Sequence, residues 1–427
     1  MEGGLGLLAS GWSGLVGSAL MALALTGVHV WDGSGAARTE GPWTIRIDHG
    51  RITALGPGTA LARGAEEIRH VEATALPGLI DSHVHLTLDP SLMRPRDQLL
   101  LAPDVVDAAM AVRAESMVRA GITTARDLGA GAWRELRLRD RIAQGELIGP
   151  RLLCAGQPVT APGGHCHFWG GEARGELGLR AVVDRQLAHG TDWVKVMATG
   201  GVFTPRTSPR RAQFTQAELA LVVDRAREGG RHVAAHCHGT EGIENAVGGG
   251  VRTIEHCSFA GDRGFGTALE SGVVDAIAER GAWVSPTVNA GWLRRIEKDG
   301  RATPFFERMS SVLKALVAAG VPLVASTDAG IPGVVHDRLA PALAALARYT
   351  DLPPASVLAA ATSEAARALD LSHETGELRP GLAADIVVVP GDPLRDLAAL
   401  EHPLTVIARG RVVRSAESEP GTRGPSS

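Results

Sequence analysis

The stretch TDWVKVMATGG, residues 191–201, sets one lysine in an apolar run. Trp193, Val194, Val196, Met197 and Ala198 surround Lys195, and the run reads as a buried strand. Seven further runs share its character: LPGLIDSHVH (76–85), GITTARDLG (121–129), RLLCAG (151–156), HVAAHCHG (232–239), RTIEHCS (252–258), WVSPTV (283–288) and PLVASTDAG (322–330). Between them lie helix-like segments such as APDVVDAAMAVRAESMVRA (102–120), TQAELALVVDRAREGG (215–230) and FFERMSSVLKALVAAG (305–320). Eight strand–helix alternations predict an α/β protein, a (β/α)8 TIM barrel over residues 76–375. A doubly wound sheet fits less well, because no Gly-rich phosphate loop follows the first run.

The chain on either side of the barrel reads differently. LALTGVHVWDG (23–33), WTIRIDHGRITALGPG (43–58) and EEIRHVEATALPG (66–78) are short strands punctuated by Asp-Gly and His-Gly turns. GELRPGLAADIVVVPGDP (376–393) predicts a strand at 385–389, and PLTVIARGRVVR (403–414) a hairpin around Gly410. A small β-sandwich domain built from 22–75 and 376–414 is therefore expected. Residues 3–30 carry no Lys, Arg, Asp or Glu, yet no basic segment precedes them as a signal peptide requires. Residues 1–21 are read as a disordered leader, with membrane contact as the alternative, and 415–427 as a disordered tail.

Composition excludes several classes. A net charge of −4 and no basic excess argue against nucleic acid or an acidic membrane surface as partner. Cys154, Cys166, Cys237 and Cys257 are too few for a disulfide framework, so buried free thiols and a cytoplasmic location are expected.

Polar residues gather at the ends of the strand-like runs, the face where barrel active sites are built. His83 and His85 alternate with Val84 and so face the same way. Two neutral imidazoles at that spacing can grip one metal ion. The fifth run ends in His236-Cys237-His238 and the sixth in Glu255-His256-Cys257; alternation turns both cysteines from the imidazoles and argues against a Cys/His zinc cluster. Asp328 closes the eighth run. Five ligand types on four strand ends, in order, point to a metal site. Lys195 closes the fourth run on the same rim. The chain has three lysines, and its other 40 basic residues are arginine, so lysine at 195 calls for a chemical reason. Burial beside cations favours a neutral amine, which can add carbon dioxide and become an anionic carbamate; guanidinium cannot.

The set resembles the metal-dependent amidohydrolase superfamily from about residue 22 to 414. His83 and His85 match its first-strand His-x-His, Lys195 its carboxylated lysine, His236 and His256 its later histidines, and Asp328 its eighth-strand aspartate. PGGHCHFWGGEA (162–173), VKVMATGG, HCHGTEGIENAV (236–247), TIEHCS and STDAG are similar to the subgroup often labelled imidazolonepropionase-like, with prolidase-like members. Imidazolonepropionases work with one metal and lack the lysine, so Lys195 favours a two-metal centre.

The resemblance implies two divalent ions, zinc or else manganese or iron, bridged by carboxylated Lys195 and a hydroxide. His83, His85 and Asp328 would hold one ion, His236 and His256 the other. Asp328 would also move the proton, and His165 would face the substrate carbonyl. His238 is a further substrate contact, and Arg210 a carboxylate partner in TPRTSPRRAQ (204–213). His167, Arg206 and Arg211 are weaker choices, and Asp127 either orients a ligand or caps a helix. The expected reaction is hydrolysis of an amide in a dipeptide or N-acyl amino acid, by a homo-oligomer acting on small molecules. The rival readings are a lactonase, a cyclic-amide hydrolase, a deaminase or a catalytically inactive scaffold. A deaminase would want a fifth-strand glutamate acid, and Glu241, five residues after His236, matches that poorly.

Overall fold

A computed structural model describes residues 22–295 and 303–415; the expected leader lies outside them, as does the tail beyond Ser415. The amino-terminal strands are β1 (Leu23–Val30), β2 (Trp43–Asp48), β3 (Arg51–Pro57), β4 (Glu66–Arg69) and β5 (Ala73–Pro77). The barrel strands are β6 (Leu79–Val84), β7 (Ile122–Asp127), β8 (Arg151–Cys154), β9 (Trp193–Met197), β10 (His232–Gly239), β11 (Thr253–Ala260) and β12 (Trp283–Ser285). The chain ends with β13 (Ile386–Pro390), β14 (Thr405–Ala408) and β15 (Arg411–Ser415).

Helices alternate with the barrel strands: α1 (Pro103–Arg119), α2 (Arg134–Ala143), α3 (Gly175–Ala188), α4 (Gln216–Glu228), α5 (Thr240–Gly249), α6 (Ser271–Arg280), α7 (Pro304–Ala318) and α8 (Leu339–Thr350). Local chemistry marks their starts. Thr215 and Glu218 form a reciprocal capping box on α4, and Pro103 and Pro304 open α1 and α7, where a missing N–H costs nothing.

The barrel strands pair in parallel as two sets, β6-β7-β8 and β9-β10-β11-β12. Val159 joins the sets, donating to the Lys195 carbonyl and accepting from the Met197 amide, each at 2.8 Å. The eighth run differs from expectation. It bridges β12 through Val284 and Leu323, and β6 through Val84 and Ala329, but carries no continuous ladder. Two of its amides are diverted: Thr327 N–H donates to the Asp81 carboxylate at 3.1 Å, beside the Thr327 hydroxyl at 2.6 Å, and Ala325 N–H to the Ala360 carbonyl at 2.7 Å. Every residue of β6, β7, β9 and β11 is buried, as strands packed on both faces must be.

The chain ends meet in one eight-stranded sheet, ordered β15-β14-β13-β5-β1-β2-β3 with β4 also on β1. β1 is shared by two halves of this sheet. The register of β1 shifts between Thr26 and Val28, so its first half pairs with β2 and β4 and its second with β5. Leu25, Val28, Ile45 and Ile52 from one half and Ile386 and Ile407 from the other fill one core. Ser415, expected in the tail, instead pairs with Thr405. Among the described residues no helix is long and apolar enough to cross a membrane.

Candidate metal centre

Six imidazoles, one amine and one carboxylate converge where the barrel strands end. Val84 points into the core while His83 and His85 share a cavity, as period-two alternation requires. On β11 that alternation fails: Glu255 and His256 both reach the centre. His256 lies at φ +66°, followed by Cys257 at +48° and Phe259 at +46°. Three left-handed non-glycine residues in one strand are strained, and such strain concentrates at functional sites. Asp328 is held likewise at φ +58°.

Each imidazole is oriented by a protein partner on one ring nitrogen. His83 Nδ1 donates to Glu255 Oε2 at 2.9 Å, and His85 Nδ1 to the Gly129 carbonyl at 3.0 Å. His236 Nε2 donates to the Gly200 carbonyl at 3.1 Å. These partners accept only, so each neutral ring keeps its proton there and offers a lone pair on the other nitrogen. His256 Nδ1 meets Thr287 Oγ1 at 2.9 Å, and His238 Nδ1 meets Ser258 Oγ at 2.7 Å. Burial first, then neighbouring positive charge, pushes His83 down to about 4, His238 to about 3, and His236 and His256 well below the usual imidazole range.

The lone pairs collide without a cation. His83 Nε2 and His85 Nε2 stand 3.3 Å apart, and Asp328 Oδ1 is 3.4 Å from each. Ligand atoms of His83, His256 and Asp328 lie within 4.8 Å of one another, and so do those of His236, His238 and His256. Burial opposes ionisation of Asp328, but the positive potential of His83, His85 and Lys195 outweighs it and holds the carboxyl near 2. Lys195 is 1% exposed, and its Nζ has no hydrogen-bond partner among the described residues. Burial pushes its ammonium down to about 8, against the pull of Glu255. Imidazoles and a carboxylate that converge at these distances are a donor set able to hold a metal ion.

A family model described as the amidohydrolase family matches residues 74–413. The chain belongs to the amidohydrolase family. This amidohydrolase is 26% identical over 364 residues to ochratoxinase of Aspergillus niger, covering 79% of this chain and 74% of that protein. It is 26% identical over 424 residues to imidazolonepropionase of Chloroflexus aggregans, covering 87% and 91% of the two chains. Its structure matches that of a Xaa-Pro dipeptidase with bound methionine in the active site, with a TM-score of 0.81, 26% identity and coverage of 92% and 99%. It thus falls in the imidazolonepropionase- and prolidase-like subgroup and is a hydrolase of carbon–nitrogen bonds.

The remaining side chains of the amidohydrolase divide cleanly. His165 lines the cavity with its ring 4.6 Å from that of His236. Thr204 Oγ1 accepts the Cys166 amide at 3.0 Å and meets His165 Nδ1 at 3.0 Å; donating there leaves the ring proton on Nε2. Gly201 must be glycine, because a Cβ would stand 2.4 Å from the His165 ring. His167 is not brought to the cavity; it sits beside Phe168 in a short turn.

Arg210 is a correction. The loop folds back as Gly200 N–H donates to the Arg211 carbonyl and Gln213 N–H to that of Ala198. Its tip therefore faces outward, where Arg210 pairs with Asp262 in a separate cleft together with Arg211. Asp127 accepts the Leu86 and Gly129 amides at 2.8 and 3.0 Å, steadying the backbone on both sides of His85 and the carbonyl that orients its ring. All four cysteines are free and buried, and Cys237 and Cys257 sit in the apolar core.

Glu255 and Arg126 escaped the sequence reading. Arg126 is fully buried, donates to Glu255 Oε1 at 2.9 Å and to the Ser82 carbonyl at 2.8 Å, and lies over the Trp193 ring at 4.5 Å. Burial opposes ionisation of Glu255, but Arg126 and the His83 hydrogen bond keep it far below the usual carboxyl range. The signal was a charge inside each of two buried strands; buried charges must pair.

Proposed function

We propose that this amidohydrolase cleaves an amide bond with two divalent metal ions held by His83, His85, Lys195, His236, His256 and Asp328. The observation that carries this reading is the Lys195 Nζ, buried and without a partner in the same cavity as the imidazoles and Asp328. As a neutral amine it could add to carbon dioxide, forming the N–C bond of a carbamate and releasing one proton, and the new carboxylate would offer the metal ions an anionic ligand. The ions, zinc or else manganese or iron, would acidify water and polarise the substrate carbonyl.

The chain's own groups do the rest. Asp328, ionised beside His83 and His85, accepts the proton of the attacking water and returns it to the leaving amine. His165, kept neutral by burial and carrying its proton on Nε2, donates to the carbonyl oxygen as charge builds there. His238 adds a nitrogen within reach of both His236 and His256, as a further ligand or a substrate contact.

Metal analysis of purified protein, with and without added bicarbonate, tests the reading. The expected result is two ions per chain, falling in Lys195→Ala, with amine release from amides that is lost in Asp328→Asn. One ion per chain, unchanged in Lys195→Ala, sinks the two-metal centre. Turnover of lactones alone moves a lactonase into first place.

A further inference from the structure

We infer that the cavity selects amides bearing an aromatic ring and no free carboxylate near the scissile bond; this rests on the amide-hydrolase reading above. The chain holds 7 Phe, 8 Trp and 1 Tyr, and aromatic residues make up 4% of it. Six of these line one cavity of about 260 Å³: Trp169, Phe203, Phe265, Trp292, Phe305 and Phe306. So large a share in one place is a wall built for a purpose, not chance exposure.

The wall is continuous with the centre. The Phe265 ring lies 4.9 Å from His238 and 5.8 Å from Phe305, Phe305 is 4.7 Å from Phe306, and Phe306 is 5.0 Å from Trp292. Across the cavity, Trp169 lies 5.6 Å from His85. The contacts along the wall are edge-to-face, the arrangement that also welcomes an added ring. Tyr349 backs it: 2% exposed, it donates to the Trp292 carbonyl at 3.1 Å, so the wall is already ordered before a ligand arrives. The lip is apolar too, with Val202 61% exposed.

Charge selects against an acid. Lys195 is the only Lys or Arg lining the cavity among the described residues. The arginines of the 204–213 loop that could meet a carboxylate face elsewhere, and Arg210 is already paired. A carboxylate placed against the aromatic wall loses its water and gains no cation. A ring in the same place buries apolar surface and loses nothing. Beside the histidines, Asn289, Ser258 and Thr287 are neutral polar groups that line the cavity and could orient such a substrate.

Four acetamides separate ring from charge: N-acetyl-phenethylamine, N-acetyl-phenylalanine, N-acetyl-ethylamine and N-acetyl-alanine. They are compared as kcat/KM on the metal-loaded, bicarbonate-treated protein. N-Acetyl-phenethylamine is expected to exceed both its carboxylated and its ringless partner by at least about tenfold, the discrimination one pocket group provides. Preference for either acid, or equal rates for the ringless amide, overturns the inference. Should none be turned over, the same four compounds are titrated calorimetrically against the metal-loaded wild-type protein. If no amide is hydrolysed, the amide reading fails, yet the ranking of dissociation constants still decides for or against an aromatic, carboxylate-free ligand.

Discussion

Replacing Lys195 by methionine should stabilise the metal-free protein while destroying the metal centre. Methionine keeps the length of the side chain and removes the amine. In the fold the Lys195 ammonium is pushed from its ordinary 10.5 down to about 8, burial being the largest cause and the attraction of Glu255 and Asp328 already counted. At about 1.4 kcal/mol per decade of proton affinity, the charged amine costs the fold roughly 3 kcal/mol. The sign follows from proton counting. Below pH 8 both folded and unfolded chains carry the proton, and the cost is present in full. Between about 8 and 10.5 the unfolded chain holds a proton that the folded one has lost, so wild-type stability rises with pH. Above 10.5 the cost is gone. The advantage of Lys195→Met should therefore approach 3 kcal/mol at pH 7 and shrink toward zero by about pH 10. Urea unfolding followed by tryptophan fluorescence, on chelator-treated and carbon-dioxide-depleted protein, measures it. A variant less stable than wild type at pH 7, or an advantage independent of pH, would refute the argument that Lys195 is a buried, unpaired amine. Adding metal and bicarbonate should reverse the order, because ligand binding to the folded wild type alone adds stability.

Two further substitutions probe the supports of the centre. In Glu255→Gln the amide can still accept from Arg126 but must donate to His83 Nδ1, which moves the ring proton to Nε2 and removes the lone pair. Metal affinity should fall about 10- to 100-fold, read by competition with a chromogenic chelator, and unchanged affinity would remove Glu255 as an orienting group. In Gly201→Ala the new Cβ, 2.4 Å from the His165 ring, forces that ring aside. We expect kcat to drop about 100-fold with the metal content intact, since displacing one group by an ångström has that effect; loss of metal instead would place His165 among the ligands.

What the sequence revealed, and what it hid, divides along one physical line. Rules that act residue by residue along a strand were legible. Alternation brought His83 and His85 to one face, strand order put Lys195 between the first and fifth runs, and the pairing of apolar runs with helix-like segments gave the barrel. The sheet from the chain ends was legible as strands, but the sharing of β1 between its two halves was not, because it depends on a register shift inside β1. The errors arise where the backbone leaves the regular strand. Three left-handed residues after Glu255 let neighbours 255 and 256 serve the same centre, which no period-two reading allows. Asp81 takes the Thr327 amide and the Ala360 carbonyl that of Ala325, so the strand-like run 322–330 never becomes a full strand. Arg210 failed for a related reason: a loop's hydrogen bonds, not its composition, decide which way its tip faces. Glu255 is the instructive case, since its charge in an apolar run was visible and only its partners were not. A rule follows for barrels of this kind. Once the ligand histidines are assigned, every remaining charge in a strand core should be matched to a ligand's second nitrogen or to an opposite charge. Here that pairing would have joined Arg126 to Glu255, and Glu255 to His83.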